Sequence, residues 1–299
     1  MGKHYRYYLG RITKGGVLET KDLINAVMNP AIISKNLYHY TFTNMHYNKE
    51  KNYIYGKLVK YTLESEIETV LPEQHKESSV YVAHKKESSS PFIIILDYMG
   101  IVYPHVWNNL PKEQFEKYFS ELITEKHENF FVSCMIEPIV DLRTFVDRVS
   151  TLSRIEKINA TVVPPNPLFG PVWEELKDYL NDRDTKELTV IEKSNHLDGI
   201  KTKVKKLMAY FLNEDLATNN GIEFLKKQQY DMTDAAILMA ADGYGRATLE
   251  GYNGNEKVII KTKDNQKSFL YDKDPEEEDF YYFVLEEFKS INNERYLGH

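Results

Sequence analysis

Asp97 closes the apolar run of residues 92–96, and Glu137 lies in a second apolar stretch, "NFFVSCMIEPIV". Carboxylates held at strand ends, with Lys157 further on, are the side chains that could hold a divalent metal for phosphodiester cleavage. Acidic residues at strand ends are more often caps and turn formers. A second group is cationic: Lys201, Lys203, Lys205 and Lys206 in "IKTKVKKLMAYFL", then Arg246, Lys257, Lys261 and Lys263. Lysines and arginine beside aromatic residues suit contacts to a phosphate backbone; lysines on a wet helix and hairpin are the plainer reading. Cys134 with His105 is a third pair, although a lone strand cysteine is usually core.

The stretch "AADGYGRATLEGYNGNEKVIIKT", residues 240–262, gathers four glycines. A dinucleotide fingerprint needs a strand, then G-x-G-x-x-G, then a helix whose N-terminus receives the pyrophosphate. Here the order is reversed and Thr248 stands at the third glycine position. Gly243 therefore fits a helix C-terminal cap and Asn253-Gly254 a tight primed turn, giving a hairpin over residues 244–263. On its first strand Tyr244, Arg246, Thr248, Glu250 and Tyr252 share one face.

The elements that must position these groups follow from periodicity. "KHYRYYLGRI", "LYHYTFTNMHY" and "YIYGKLVKYTL" alternate aromatic and polar residues, and the polar "NKEKN" between the last two predicts a hairpin. "HKKESSSP" reads as a flexible loop. The continuous run in "PFIIILDY" implies a strand covered on both faces, followed by "IVYPHVW". From Pro111, residues Phe115, Tyr118, Phe119, Leu122 and Ile123 form one helical stripe. "NFFVSCMIEPIV", "DLRTFVDRVSTL" capped by Asp141, and "SRIEKINATVVP" then read as strand, helix and strand. The order predicts an α+β fold, with an antiparallel or mixed sheet and helices on one face. "PPNPLFGP" is an extended exit. A helix follows from Pro171, then a strand in "ELTVIEK", a helical segment from about 196 to 241, and the C-terminal hairpin. The expected domains are 1–164 and 165–299.

At 299 residues and 42% hydrophobic content the chain can bury a large core. The one cysteine excludes an internal disulfide and a multi-thiolate zinc site. The start "MGKHYRYYLGRITKGG" has no apolar core of signal-peptide length and no apolar run is long enough to span a bilayer, so a cytoplasmic protein without membrane attachment is expected. Of the net charge of −7, residues 273–299 carry eight acids against three bases. That end is a solubilising segment, an anionic competitor lying over the basic face, or a docking strip for a partner protein. The sequence lacks a nucleophile elbow, a Walker loop and an H-E-x-x-H pair, so no cofactor or resident metal is expected.

The aromatic first strand, "YGKLVKY", the "VVPPNPLFG" exit and the "AADGYGRATLEGYNG" hairpin resemble uncharacterised prokaryotic proteins found with prophages and phage-resistance loci. More remotely they resemble the RexA exclusion protein of phage lambda. The resemblance implies a protein of antiviral defence that binds nucleic acid, DNA first, without strong sequence preference, as a homodimer or with a partner protein. Three expectations go forward: a non-enzymatic nucleic-acid-binding protein, a metal-dependent nuclease using Asp97 and Glu137, and an interaction subunit docking through its acidic end.

Overall fold

Alternating aromatic and polar side chains make residues 4–16 a long strand, β1 (His4–Gly16). In the computed structural model, which describes residues 4–71, 76–128, 131–164, 174–183, 185–204 and 231–296, β1 uses both of its edges. One edge pairs β6 (Gly100–Pro104). The other is shared by β12 (Ser268–Asp272) and β7 (Val132–Pro138). Beyond β6 the sheet continues through β5 (Lys76–Ile95), β4 (Tyr53–Leu71), β3 (Tyr38–Asn48) and β2 (Ile33–Lys35), every pair antiparallel.

The apolar run at the end of β5 explains how this sheet is covered. Phe92 and Ile94 face one core, and Ile93 and Ile95 face another. On the first face lie α1 (Thr20–Met28) and α2 (Lys112–Lys126), with Phe115, Phe119 and Leu122 packed among Phe42, Phe92 and Ile101. On the second lies α6 (Glu277–Tyr296), whose Phe280, Val284, Phe288 and Ile291 pack on Tyr7, Leu9, Ile93 and Val102. The α+β class and antiparallel pairing are as expected, and helices occupy both faces of the larger sheet.

The acidic end is therefore part of the fold. Asp274 pairs with Lys57 at 3.0 Å, Glu278 with Lys51 at 2.6 Å, and Glu277 takes His46 at 2.5 Å and the Tyr53 hydroxyl at 2.8 Å. These three carboxylates pair with residues of β3, β4 and the turn between them rather than with cations of the hairpin, and the apolar stripe of the segment is core. It is neither a loose solubilising tail nor a cover over the hairpin.

A second sheet runs β11-β10-β8-β9, built from β8 (Arg154–Val162), β9 (Leu188–Lys193), β10 (Gly245–Asn253) and β11 (Glu256–Lys261), all antiparallel. One face packs on α3 (Leu142–Ser150), α4 (Glu174–Asp182) and α5 (Met232–Ala241). The expected division at residue 164 runs through both sheets, since β8 pairs β10 and β1 pairs β12 across it. Strand pairing follows side-chain pattern and overrides the prolines in the connection.

Two local expectations change. "HKKESSSP" lies inside β5, paired with β4 down to Lys57↔Pro91. The small Ser88 and Ser90 are buried there, and Pro91 lies outside the β5–β6 pairing, which covers residues 93–95, so its missing N–H breaks no bond to β6. Residues 196–203 are turn and irregular chain rather than helix. Gly199 turns at φ +76, and Ile200 donates its N–H to the Ile155 carbonyl at 2.7 Å, so this segment runs beside β8. Among the described residues no helix is long and apolar enough to cross a membrane.

Candidate nucleic-acid interface

The second sheet is held from behind. Every residue of α5 from Thr233 to its end is buried, as befits a helix apolar on all sides. It stops in a Schellman motif: Gly243, at φ +85, donates to Ala240 O at 3.3 Å and Tyr244 to Met239 O at 3.0 Å. The chain then enters β10, and a two-residue turn with Gly254 at φ +60 leads into β11. The glycines thus close a helix and fold a hairpin, as their context predicts. Tyr244 departs from expectation, being fully buried with the Arg11 guanidinium 4.5 Å above its ring. Gly245 at φ +148 breaks the alternation between Tyr244 and itself, both buried, and from Arg246 on the strand alternates regularly.

Alternation then sorts the sheet into two sides. Ile155, Ile158, Ala160, Val162, Ala247, Leu249 and Ile260 face the helices. The opposite side is read from strand register. Lys261, Thr248, Asn159 and Ile191 form one row across the strands; Ile259, Glu250, Lys157 and Lys193 form the next; Lys257, Tyr252 and Arg154 form a third. Arg246, Thr161 and Thr189 complete it at the far end. Arg246, Thr189, Lys193, Lys257, Ile191 and Ile259 are exposed, and the others named are partly exposed.

Cations dominate this open side. Glu250 is clamped by Lys157 at 2.7 Å and Lys257 at 3.1 Å, which hold its carboxyl below the usual range. A register shift between Glu250 and Gly251 leaves Glu156 outside the ladder, where it pairs with Arg154 at 3.1 Å. The Arg154 guanidinium also lies 4.4 Å over the Tyr252 ring. Arg246, Lys193 and Lys261 make no ion pair among the described residues. The face thus presents uncommitted positive charge, one half-exposed tyrosine and two exposed isoleucines, a surface able to meet phosphates and bases together.

Of the residues expected to bind phosphate, Arg246, Lys257 and Lys261 come together here. Lys263 lies beyond, in the 3-10 turn Thr262–Asn265, and its charge acts on Glu116 of α2. Lys201 and Lys203 are exposed on the segment beside the start of β8. Lys205 and Lys206 lie outside the described residues. Arg154, Lys157 and Lys193 join the face from strands that sequence reasoning did not connect to the hairpin. The broken spacing between Ile155 and Ile158 was the sign of the bulge that turns Lys157 outward.

The nuclease pair is not assembled. Asp97 is exposed in the 3-10 turn Leu96–Tyr98 and accepts a hydrogen bond from Asn52 at 2.5 Å. Glu137 is buried in β7, where burial lifts its carboxyl above the usual range and Arg246 pulls it part of the way back. Among the described residues no group of three or more His, Cys, Asp or Glu side chains could hold a metal ion. Cys134 is core, its thiol pushed up to about 12 by burial, while His105 sits at the start of α2, accepting from the Lys112 N–H at 3.3 Å.

A family model described as a domain of unknown function, DUF4747, matches residues 21–223, more than half of the chain. The chain belongs to the DUF4747 family. The DUF4747 match takes in β8 and β9 and ends before β10, so the open face joins two strands inside the matched segment to a hairpin beyond it. No curated protein matches the chain.

Proposed function

We propose that this protein binds nucleic acid along the open face of its second sheet. The observation that carries the reading is the set Arg154, Lys157, Lys193, Arg246, Lys257 and Lys261, gathered on one side of four paired strands against only Glu156 and Glu250. Same-face neighbours along a strand are about 6.7 Å apart and adjacent strands about 4.8 Å, so the cations form a grid rather than a point site. A grid follows a polyanion without reading its sequence. Tyr252, with Arg154 over its ring, offers a stacking surface to an unpaired base, which favours a single strand over a duplex. The role in antiviral defence and the preference for DNA rest on the resemblance to prophage-associated proteins.

The test is fluorescence anisotropy of the full chain with labelled single-stranded DNA, duplex DNA and RNA. Binding by the wild type and its weakening in the triple variant Lys193→Glu, Arg246→Glu, Lys261→Glu, with circular dichroism unchanged, supports the reading. Equal binding by a folded triple variant removes it.

A further inference from the structure

The open face runs into a pocket. At the start of β8, residues 153–155 lie beside residues 198–203, and together with Asp231 they line a cavity of about 550 Å³. That size is within the range of small-ligand sites and suits a single nucleotide. Arg154, Lys201 and Lys203 are its cations, and Asp198 and Asp231 its carboxylates.

The walls are fixed from outside the cavity. Asp234 of α5 is buried and accepts from the Thr202 hydroxyl and, at 2.9 Å, from the Lys203 N–H. Thr202 is thereby turned toward α5, and its neighbours Lys201 and Lys203 are exposed. Burial still outweighs these hydrogen bonds and raises the Asp234 carboxyl above its usual range.

Arg154 belongs to both places. Its guanidinium stacks on Tyr252 of the open face, Nη2 reaches Glu156 and Nη1 the Leu197 carbonyl at 3.5 Å. Its Nε is buried and has no hydrogen-bond partner among the described residues. An Arg154 N–H left without an acceptor, on a side chain that is 32% exposed and beside two exposed lysines, is a donor for an anionic oxygen.

Resting on the nucleic-acid reading above, we infer that this pocket takes the phosphorylated terminal nucleotide of a strand lying on the open face. An internal phosphodiester carries one negative charge, which the spaced cations of the grid each meet singly. A terminal phosphomonoester carries between one and a half and two charges near neutral pH and has an additional acceptor oxygen, which is what a cluster of Arg154, Lys201 and Lys203 suits. The two aspartates accept hydrogen bonds from sugar hydroxyls or base amino groups.

The experiment uses the full chain and one single-stranded oligonucleotide sequence in four forms: 5′-phosphorylated, 3′-phosphorylated, hydroxyl at both ends, and circular. One phosphorylated form binds at least tenfold tighter than the hydroxyl-ended form, and its identity gives strand polarity. In Lys201→Glu, Lys203→Glu that preference disappears while affinity for the hydroxyl-ended strand changes less than threefold. Equal affinity for all four forms, with binding intact, overturns the pocket inference and leaves the open-face reading standing. So does a variant that weakens every form equally, because the lysines are then ordinary parts of the grid. No binding of any form overturns both.

Discussion

Replacing Phe288 with alanine tests whether the acidic C-terminal segment is core. Phe288 is 2% exposed on α6, stacks on Tyr98 with ring centroids 5.6 Å apart, and lies against Gly100 of β6. Removing a buried phenyl ring costs about 3–5 kcal/mol, roughly a transfer term plus the cavity left behind. At about 2 °C per kcal/mol for a chain of this size, the midpoint of thermal unfolding falls by roughly 6–10 °C. Tyr282→Ala, at a 51% exposed site of the same helix, is the control and changes stability by less than about 1 kcal/mol. Gly100 makes the test sharper. A Cβ added there would stand 2.2 Å from the Phe288 ring, so Gly100→Ala alone forces the ring or the strand to move. In the Phe288→Ala background the same methyl enters vacated space. Urea unfolding of the two single variants and the double variant should therefore show a coupling of at least about 1 kcal/mol, with the double variant more stable than the sum predicts. Additive effects, or a Phe288→Ala loss as small as the Tyr282 control, would refute the packing of α6 on the larger sheet.

Other consequences are open to measurement. Deleting residues 273–299 removes Phe280, Val284, Phe288 and Ile291 from the core and should yield an unfolded or aggregated chain by circular dichroism and size exclusion; a folded, monodisperse product contradicts the fold. Cys134, with its thiol near 12 and 3% exposed, should react with a thiol reagent at pH 8 only at the rate of unfolding, and prompt labelling of native protein counts against its burial. Glu137 has a folded pKa above its ordinary 4.5, so the folded state holds its proton more tightly than the unfolded state. Stability contributed by that proton is full below about pH 4.5 and is lost as pH rises through the elevated folded pKa. Glu137→Gln should flatten that part of the stability curve; an unchanged pH profile means the carboxyl is not buried as described.

The larger sheet's central hairpin, α2, α3 and the glycine hairpin are legible from local pattern because each carries its own period or turn chemistry. Helix α6 is a different case. Phe280, Val284, Phe288 and Ile291 form a helical stripe in the sequence, but the acids around them suggest a tail until Lys51, Lys57 and His46 supply their partners from far along the chain. Strand β5 passes through "HKKESSSP" because pairing with β4 overrides low strand propensity. The candidate face was half legible: parity on the hairpin exposes Arg246, Lys257 and Lys261, whereas Arg154, Lys157 and Lys193 enter through pairings that only the folded sheet makes. Asp97 and Glu137 show the converse, since suitable residue types at strand ends carry no information about which strands become neighbours.

The most direct test of the central claim is the salt dependence of single-strand binding by the wild type and by Lys193→Glu, Arg246→Glu, Lys261→Glu. If these three cations neutralise one phosphate each, they contribute roughly −2 to the slope of log K against log salt. The account predicts a wild-type slope at least that steep and a triple variant whose slope is shallower by about that amount, with its fold intact. Absence of wild-type binding at low salt, or the same slope in both proteins, contradicts it.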